Sequence, residues 1–183
     1  VAPIFNKLGY VGTSMSDLTQ ATGLTKGALY GNFENKEALA LAAFERNSKL
    51  LLTLIDEKLN TQGTSLQKLF VLTDFYRHYD DFTKDLGGCP VLNVGVDAKH
   101  NNSLLSAAAK ETIKNIEGKI ALVIENGVNS NELRIPVTPL QFAKQLFTMI
   151  QGAVAMATIT GDKKYLLNTV AYLDQLIVKE IKK

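Results

Sequence analysis

The sequence predicts an all-α fold. Three observations carry the prediction: apolar residues recur at helical spacing in segment after segment, no stretch competes as a strand, and Gly or Pro stands between the periodic segments, as at Gly23, Gly87-Gly88, Pro90, Pro139 and Gly161. At 183 residues, 46% hydrophobic and 21% charged, the chain has the apolar content to bury a substantial core in one or two domains. It has no run of about 18 apolar residues for a membrane helix and no basic-then-apolar segment like a signal peptide, so a cytoplasmic protein is expected. The single cysteine, Cys89, excludes an intrachain disulfide and any multi-cysteine zinc site.

Residues 13–37 are the most informative. Ser14 is suited to cap a helix over Met15–Thr22, Asp17 completes a capping box, and Met15 and Leu18 give the helix one apolar face. Gly23 is placed to take the left-handed conformation that ends this helix, after which Leu24 is expected to drop back into the core. Thr25 opens a second helix, residues 25–33, by offering its hydroxyl to the N–H of Gly27 or Ala28, while Leu29 and Phe33 mark its buried side. The other side presents Thr25, Lys26, Gly27, Ala28, Tyr30 and Asn32. Free N–H groups and the positive dipole end at a helix N-terminus favour phosphate, and small side chains there let the backbone approach base edges. A helix-turn-helix that reads the DNA major groove is therefore predicted: Thr25 and Ala28 near bases, Lys26 and the Tyr30 hydroxyl near phosphates. Net charge is only +2, and Lys7, Lys26, Lys36, Arg46 and Lys49 are nearly balanced by Asp17, Glu34, Glu37 and Glu45, so modest non-specific affinity is expected.

The run GYVGTSMSDLTQATGLTKGALYGNFENKEAL resembles the DNA-binding domain of TetR-family transcriptional regulators, in unbroken register over residues 4–46. The resemblance implies that Thr25, Lys26, Gly27, Ala28, Tyr30 and Lys36 line the DNA, that the first helix begins upstream of Val1, and that two copies pair through their last two helices into a four-helix bundle. Thr19 and Thr22 stand where the family usually has Ala, and Gly31 where a larger residue often reaches the DNA backbone. The division expected is residues 1–46 for the helix-turn-helix domain and residues 47–183 for a helical domain that binds a small-molecule effector and dimerises.

Further helices are expected over residues 36–60, capped by Asn35, then 66–82, 90–100 with Pro90 in the first turn, 103–126, Pro139–Thr160 and 164–181, with a loop over 126–134. The last two helices are apolar on more than one side, which predicts a homodimer interface. Ligand-contact candidates are Phe75, Tyr76, Tyr79 and Phe82 on one helix, Asn93, Val96 and His100 on another, and Phe147 and Met149 on a third; an aromatic cavity of this kind suits a flat or apolar molecule. Cys89, between Gly88 and Pro90 at a helix N-terminus, is a further candidate and raises a redox or electrophile sensor as an alternative. With only His78 and His100, no nucleophile elbow and no phosphate loop, neither an enzyme nor a metal site is expected, and no cofactor. An architectural DNA-binding or helical interaction protein without a ligand is the other alternative. The reading reached is a homodimeric, ligand-responsive repressor of a palindromic operator.

Overall fold

The computed structural model describes residues 1–181. Among the described residues ten α-helices follow one another: α1 (Ala2–Gly12), α2 (Met15–Thr22), α3 (Lys26–Tyr30), α4 (Lys36–Leu59), α5 (Ser65–Arg77), α6 (Tyr79–Thr83), α7 (Pro90–Asn101), α8 (Ser103–Asn129), α9 (Pro139–Thr160) and α10 (Lys164–Leu176), which continues as a π-turn over Ile177–Ile181. No described helix is long and apolar enough to cross a membrane. The chain forms two compact units, each built from two separate segments: Val1–Leu51 with Asp80–Ile113, and Leu52–Tyr79 with Lys114–Lys183.

The helix starts follow local chemistry. The Ser14 side chain accepts from the Asp17 N–H and the Asp17 carboxylate accepts from the Ser14 N–H, a complete capping box. Thr64 and Gln67 repeat it at α5. Asn35 caps α4 by accepting from the Ala38 N–H, and Thr138 caps α9. Pro90 and Pro139 sit in first turns, where a missing N–H costs nothing.

In the first unit, Phe5 of α1, Leu18 of α2, Leu29 of α3 and Leu39, Ala40, Ala43 and Phe44 of α4 share one buried cluster with Val94 and Ala98 of α7 and Leu105 and Ala109 of α8. Polar bonds then fix α7 on α1. The Asn6 amide, fully buried, donates to the carbonyls of Leu86 (2.7 Å) and Gly88 (2.6 Å), while the Asn93 amide donates back to the Asn6 carbonyl at 2.9 Å. Gly87 makes this possible: its φ is +78°, and a Cβ there would lie 2.6 Å from the Pro3 carbonyl oxygen.

In the second unit, α10 packs on both α9 and α5. Its core includes Leu69 and Leu72 of α5, Ile116, Ile120 and Ile124 of α8, Leu146 and Ile150 of α9, and Val170 and Leu173 of α10. Asp174 of α10 accepts from the Thr73 hydroxyl at 2.6 Å and from the Arg77 guanidinium, tying α10 to α5.

Two boundaries outside the helix-turn-helix differ clearly from the sequence reading. The helix expected over 66–82 breaks at His78, whose N–H turns back to the Phe75 carbonyl (3.2 Å) and so leaves the i→i−4 ladder, separating α5 from α6. The loop expected from residue 126 starts later, because α8 runs on to Asn129. Asn131 then takes φ 61°, the N–H groups of Glu132 and Leu133 reach the Gly127 carbonyl, and Leu133 folds back so closely that a Cβ on Gly127 would meet it at 2.5 Å.

Gly87→Ala tests the junction of α1 and α7. Left-handed strain of about 1–2 kcal/mol adds to the clash with Pro3, so the melting temperature should fall by several degrees, and an unchanged value would show that this junction is looser than described.

Candidate nucleic-acid interface

The turn between α2 and α3 is set by Gly23, which takes φ 69° and sends its N–H to the Thr19 carbonyl at 2.9 Å. Thr25 then caps α3 by accepting from the Ala28 N–H at 3.1 Å, which leaves its own O–H free to donate outward. α3 is shorter than the sequence reading had it, five residues instead of a helix through Phe33, although the Phe33 N–H still reaches the Leu29 carbonyl at 3.2 Å. Leu29 is its one buried residue; Thr25, Lys26, Gly27, Ala28, Tyr30 and Asn32 are all exposed. The structure thus brings the predicted reading residues together on one open face with Gly27 and Ala28 at its centre.

Two of these side chains are already engaged. The Asn32 amide donates to the Ala28 carbonyl at 3.0 Å, which leaves its side-chain oxygen facing outward as an acceptor. Lys36, half-buried, donates to the Tyr10 carbonyl at 2.6 Å and lies over the Tyr10 ring, 4.4 Å from its centroid. Its ammonium is therefore held in place with donors to spare.

Departures from the family pattern are absorbed locally. The Thr19 and Thr22 hydroxyls donate to carbonyls of their own helix, those of Ser16 and Leu18. Leu24 corrects the sequence reading: it is 48% exposed and does not return to the core. With the chain turning at Gly23, Leu24 lines a groove of about 540 Å³ together with Ala28, Phe33, Leu39 and Arg46.

The ligand candidates divide between the units. In the second, Phe75, Tyr76 and Tyr79 meet edge-on or tilted in one cluster, with centroids 5.0 to 5.7 Å apart and both tyrosines buried; Phe147 is buried and Met149 half-buried. In the first, Phe82 is half-buried, Cys89 is 3% exposed, and Asn93 is committed to Asn6 and to the Gly87 carbonyl. Val96 and His100 are exposed, because α7 turns Val91, Val94 and Ala98 inward instead.

Sequence reasoning missed Asn6 and Asp97. Asp97 of α7 accepts from the N–H groups of Tyr10 (2.6 Å) and Val11 (3.4 Å), just after the left-handed Gly9, and both side chains act 80 or more residues away in the chain, where no local spacing signals them.

The chain matches two family models: "Bacterial regulatory proteins, tetR family" over residues 3–43 and "Tetracyclin repressor-like, C-terminal domain" over residues 65–173. It is similar to the HTH-type transcriptional repressor NemR of Escherichia coli, 23% identical over 92% of this chain and 85% of that protein. Among solved structures it is similar to a TetR-family transcriptional regulator from Cytophaga hutchinsonii, 34% identical with a TM-score of 0.88 over 97% of this chain and 88% of that one. A TetR transcriptional regulator from Chloroflexus aurantiacus is 29% identical, with a TM-score of 0.92 over 99% and 91% of the two chains.

Asp17 makes the interface sensitive to acid. Hydrogen bonds from the Ser14 side chain and then its backbone hold the Asp17 carboxyl below the usual carboxylate range, with the Lys36 charge adding to the effect. A depressed native pKa contributes stability above the unfolded-state value and loses it as pH falls through the native one. Asp17→Asn should therefore lower the melting temperature at neutral pH, and the gap from the unsubstituted protein should narrow in acid; a gap that widened in acid would exclude this role.

Proposed function

The chain belongs to the TetR family of bacterial regulatory proteins, and on that premise we propose that it is a cytoplasmic, homodimeric repressor that leaves a palindromic operator when a small molecule binds. Residues 1–46 read DNA, and residues 47–183 dimerise and sense the effector. One observation carries the DNA-reading assignment: of α3, Leu29 alone is buried, and Thr25, Lys26, Gly27, Ala28 and Tyr30 are all open to a partner. Thr25 and Ala28 face bases, Gly27 permits close approach, and Lys26, Tyr30, Asn32 and Lys36 contact the DNA backbone. Because these contacts involve few charges, a single copy binds weakly. Two copies on a two-fold axis read half-sites about 34 Å apart, one helical turn of DNA.

The pairing surface proposed is that of α9 and α10. Large apolar side chains remain at solvent there, among them Met156, Ile159 (78% exposed), Tyr165, Leu167 and Tyr172. A Cβ on Gly152 would meet nothing within 4 Å, so a partner helix can come close at that point. Apolar side chains left open along two successive helices fit a surface that a partner covers.

For the effector, support comes from the aromatic cluster of Phe75, Tyr76 and Tyr79, whose faces suit a flat or apolar molecule. Phe82, Cys89, Asn93, Val96, His100, Phe147 and Met149 remain candidate contacts to be tested by substitution. α4 runs unbroken over Lys36–Leu59 and carries the chain from the reading segment into the sensing one. Release requires the effector to prefer the DNA-incompetent state; reversing a 99:1 preference takes about 10⁴-fold tighter binding to it, about 5.5 kcal/mol.

Tyr30→Ala combined with Lys36→Ala tests the reading face. On a duplex selected from a random library by the unsubstituted protein, the pair should weaken binding at least about tenfold; unchanged affinity would remove the assignment. Leu167→Glu with Tyr172→Glu tests the pairing surface. Sedimentation should show a folded monomer with weakened operator binding, and a persisting dimer would place the interface elsewhere.

A further inference from the structure

We propose that Asp97 is a positioning residue for DNA binding, acting through Tyr10 to hold the Lys36 ammonium where phosphate meets it; the inference rests on the phosphate role of Lys36 proposed above. The helix α1 is interrupted at Gly9, whose φ of 76° and ψ of 174° are not helical. The N–H groups of Tyr10 and Val11 are thereby released from the ladder of α1 and act as the start of a fresh turn. Asp97 receives both through one oxygen, at 2.6 and 3.4 Å. Its carboxylate lies directly against Gly9, since a Cβ there would stand 2.9 Å from the Asp97 carboxyl carbon. The other side of the same residue holds Lys36: the Tyr10 carbonyl accepts from Nζ at 2.6 Å and the ring supports the charge at 4.4 Å.

Tyr10 is thus a bridge with Asp97 on its N–H and Lys36 on its carbonyl and ring. Asp97 itself is anchored, because its neighbours Val94 and Ala98 lie in the buried cluster of the same unit. Without the carboxylate, two N–H groups lose their acceptor, the Gly9 turn loosens and the Tyr10 carbonyl no longer fixes Nζ. Lysine is a flexible point charge with many rotamers, and a phosphate contact made from a preset position forfeits less freedom on binding. The Thr13 hydroxyl holds the same turn from the other side by donating to the Gly9 carbonyl at 2.6 Å, and Asp97 is the contribution of α7 to it.

The test is a double-substitution cycle on the selected operator duplex, read as affinity against salt. Lys36→Met should weaken binding about tenfold and flatten the log–log salt slope by about two in the dimer, each lost phosphate contact counting about 0.9. Asp97→Ala should weaken binding about three- to tenfold and flatten the slope in the same direction, with no further loss when added to Lys36→Met. Asp97→Asn keeps an acceptor without the charge and should fall between; its loss must also vanish on the Lys36→Met background, so the cycle stands even if Asp97→Ala does not fold. A loss from Asp97 substitution that adds in full to that of Lys36→Met, or leaves the salt slope unchanged, overturns the positioning role alone. A Lys36→Met protein with unaltered affinity and slope overturns the phosphate role and this inference with it.

Discussion

A helix of five residues cannot hold itself, since isolated helices shorter than about 12 residues are marginal in water. α3 is such a helix, and it is also the proposed reading element. Its shape is imposed from outside: the Thr25 cap at one end, the Gly23 turn before it, and Leu29 locked among Leu18, Leu39 and Ala43 beneath. Replacing one buried leucine by alanine costs about 2–5 kcal/mol, a large share of a small domain's stability, so the order of the exposed face depends on Leu29 together with the cap and the turn. Apart from Thr25, which caps the helix, and Asn32, whose amide returns to the Ala28 carbonyl, the outward side chains take no part in holding it. They can be short, polar or flexible because the single inward one carries the packing.

Around this core the polar contacts perform a second task, that of registration. Apolar packing tolerates small sliding of one helix on another, whereas a buried amide with two carbonyls within 2.7 Å does not. Asn6 and Asn93 answer each other in this way, and Asn102 joins α4 by donating to Glu37 at 2.8 Å. The result is that α7, far along the chain, has a fixed seat on the first unit. In the second unit Asp174, held by Thr73 and Arg77, registers α10 on α5 by the same logic.

What was legible in the sequence had short reach. Ser14, Asp17, Gly23, Thr25, Asn35, Pro90 and Pro139 act on groups within about four residues, so spacing and side-chain chemistry sufficed to place the helix starts and the open face of α3. The exposed Leu24, the break at His78 and the extension of α8 depended on competition between alternative backbone bonds, which composition does not rank. Asp97 and Asn6 were illegible for a different reason: an acidic residue within an amphipathic helix looks solvated until its partner, 87 residues away, is known. The ligand candidates rest on aromatic spacing for Phe75, Tyr76, Tyr79 and Phe82 and on place in a helix for the others, and neither signal distinguishes the buried rings Tyr76 and Tyr79 from the exposed Val96 and His100.

The interleaved build of the first unit bears on how such regulators are made and recombined. Its segments Val1–Leu51 and Asp80–Ile113 are separated by a stretch that belongs to the other unit. On the ribosome the reading head emerges first, yet it lacks Val94, Ala98 and Leu105 until much later in synthesis, and through that interval Phe5 and Phe44 have no permanent cover. Chimaeric regulators meet the same difficulty. A head exchanged at residue 46 would surrender its own α7 and rest on a foreign one, without Asn93 to answer Asn6. A graft that carries residues 80–113 along with the head transfers the whole folded body instead of its first half.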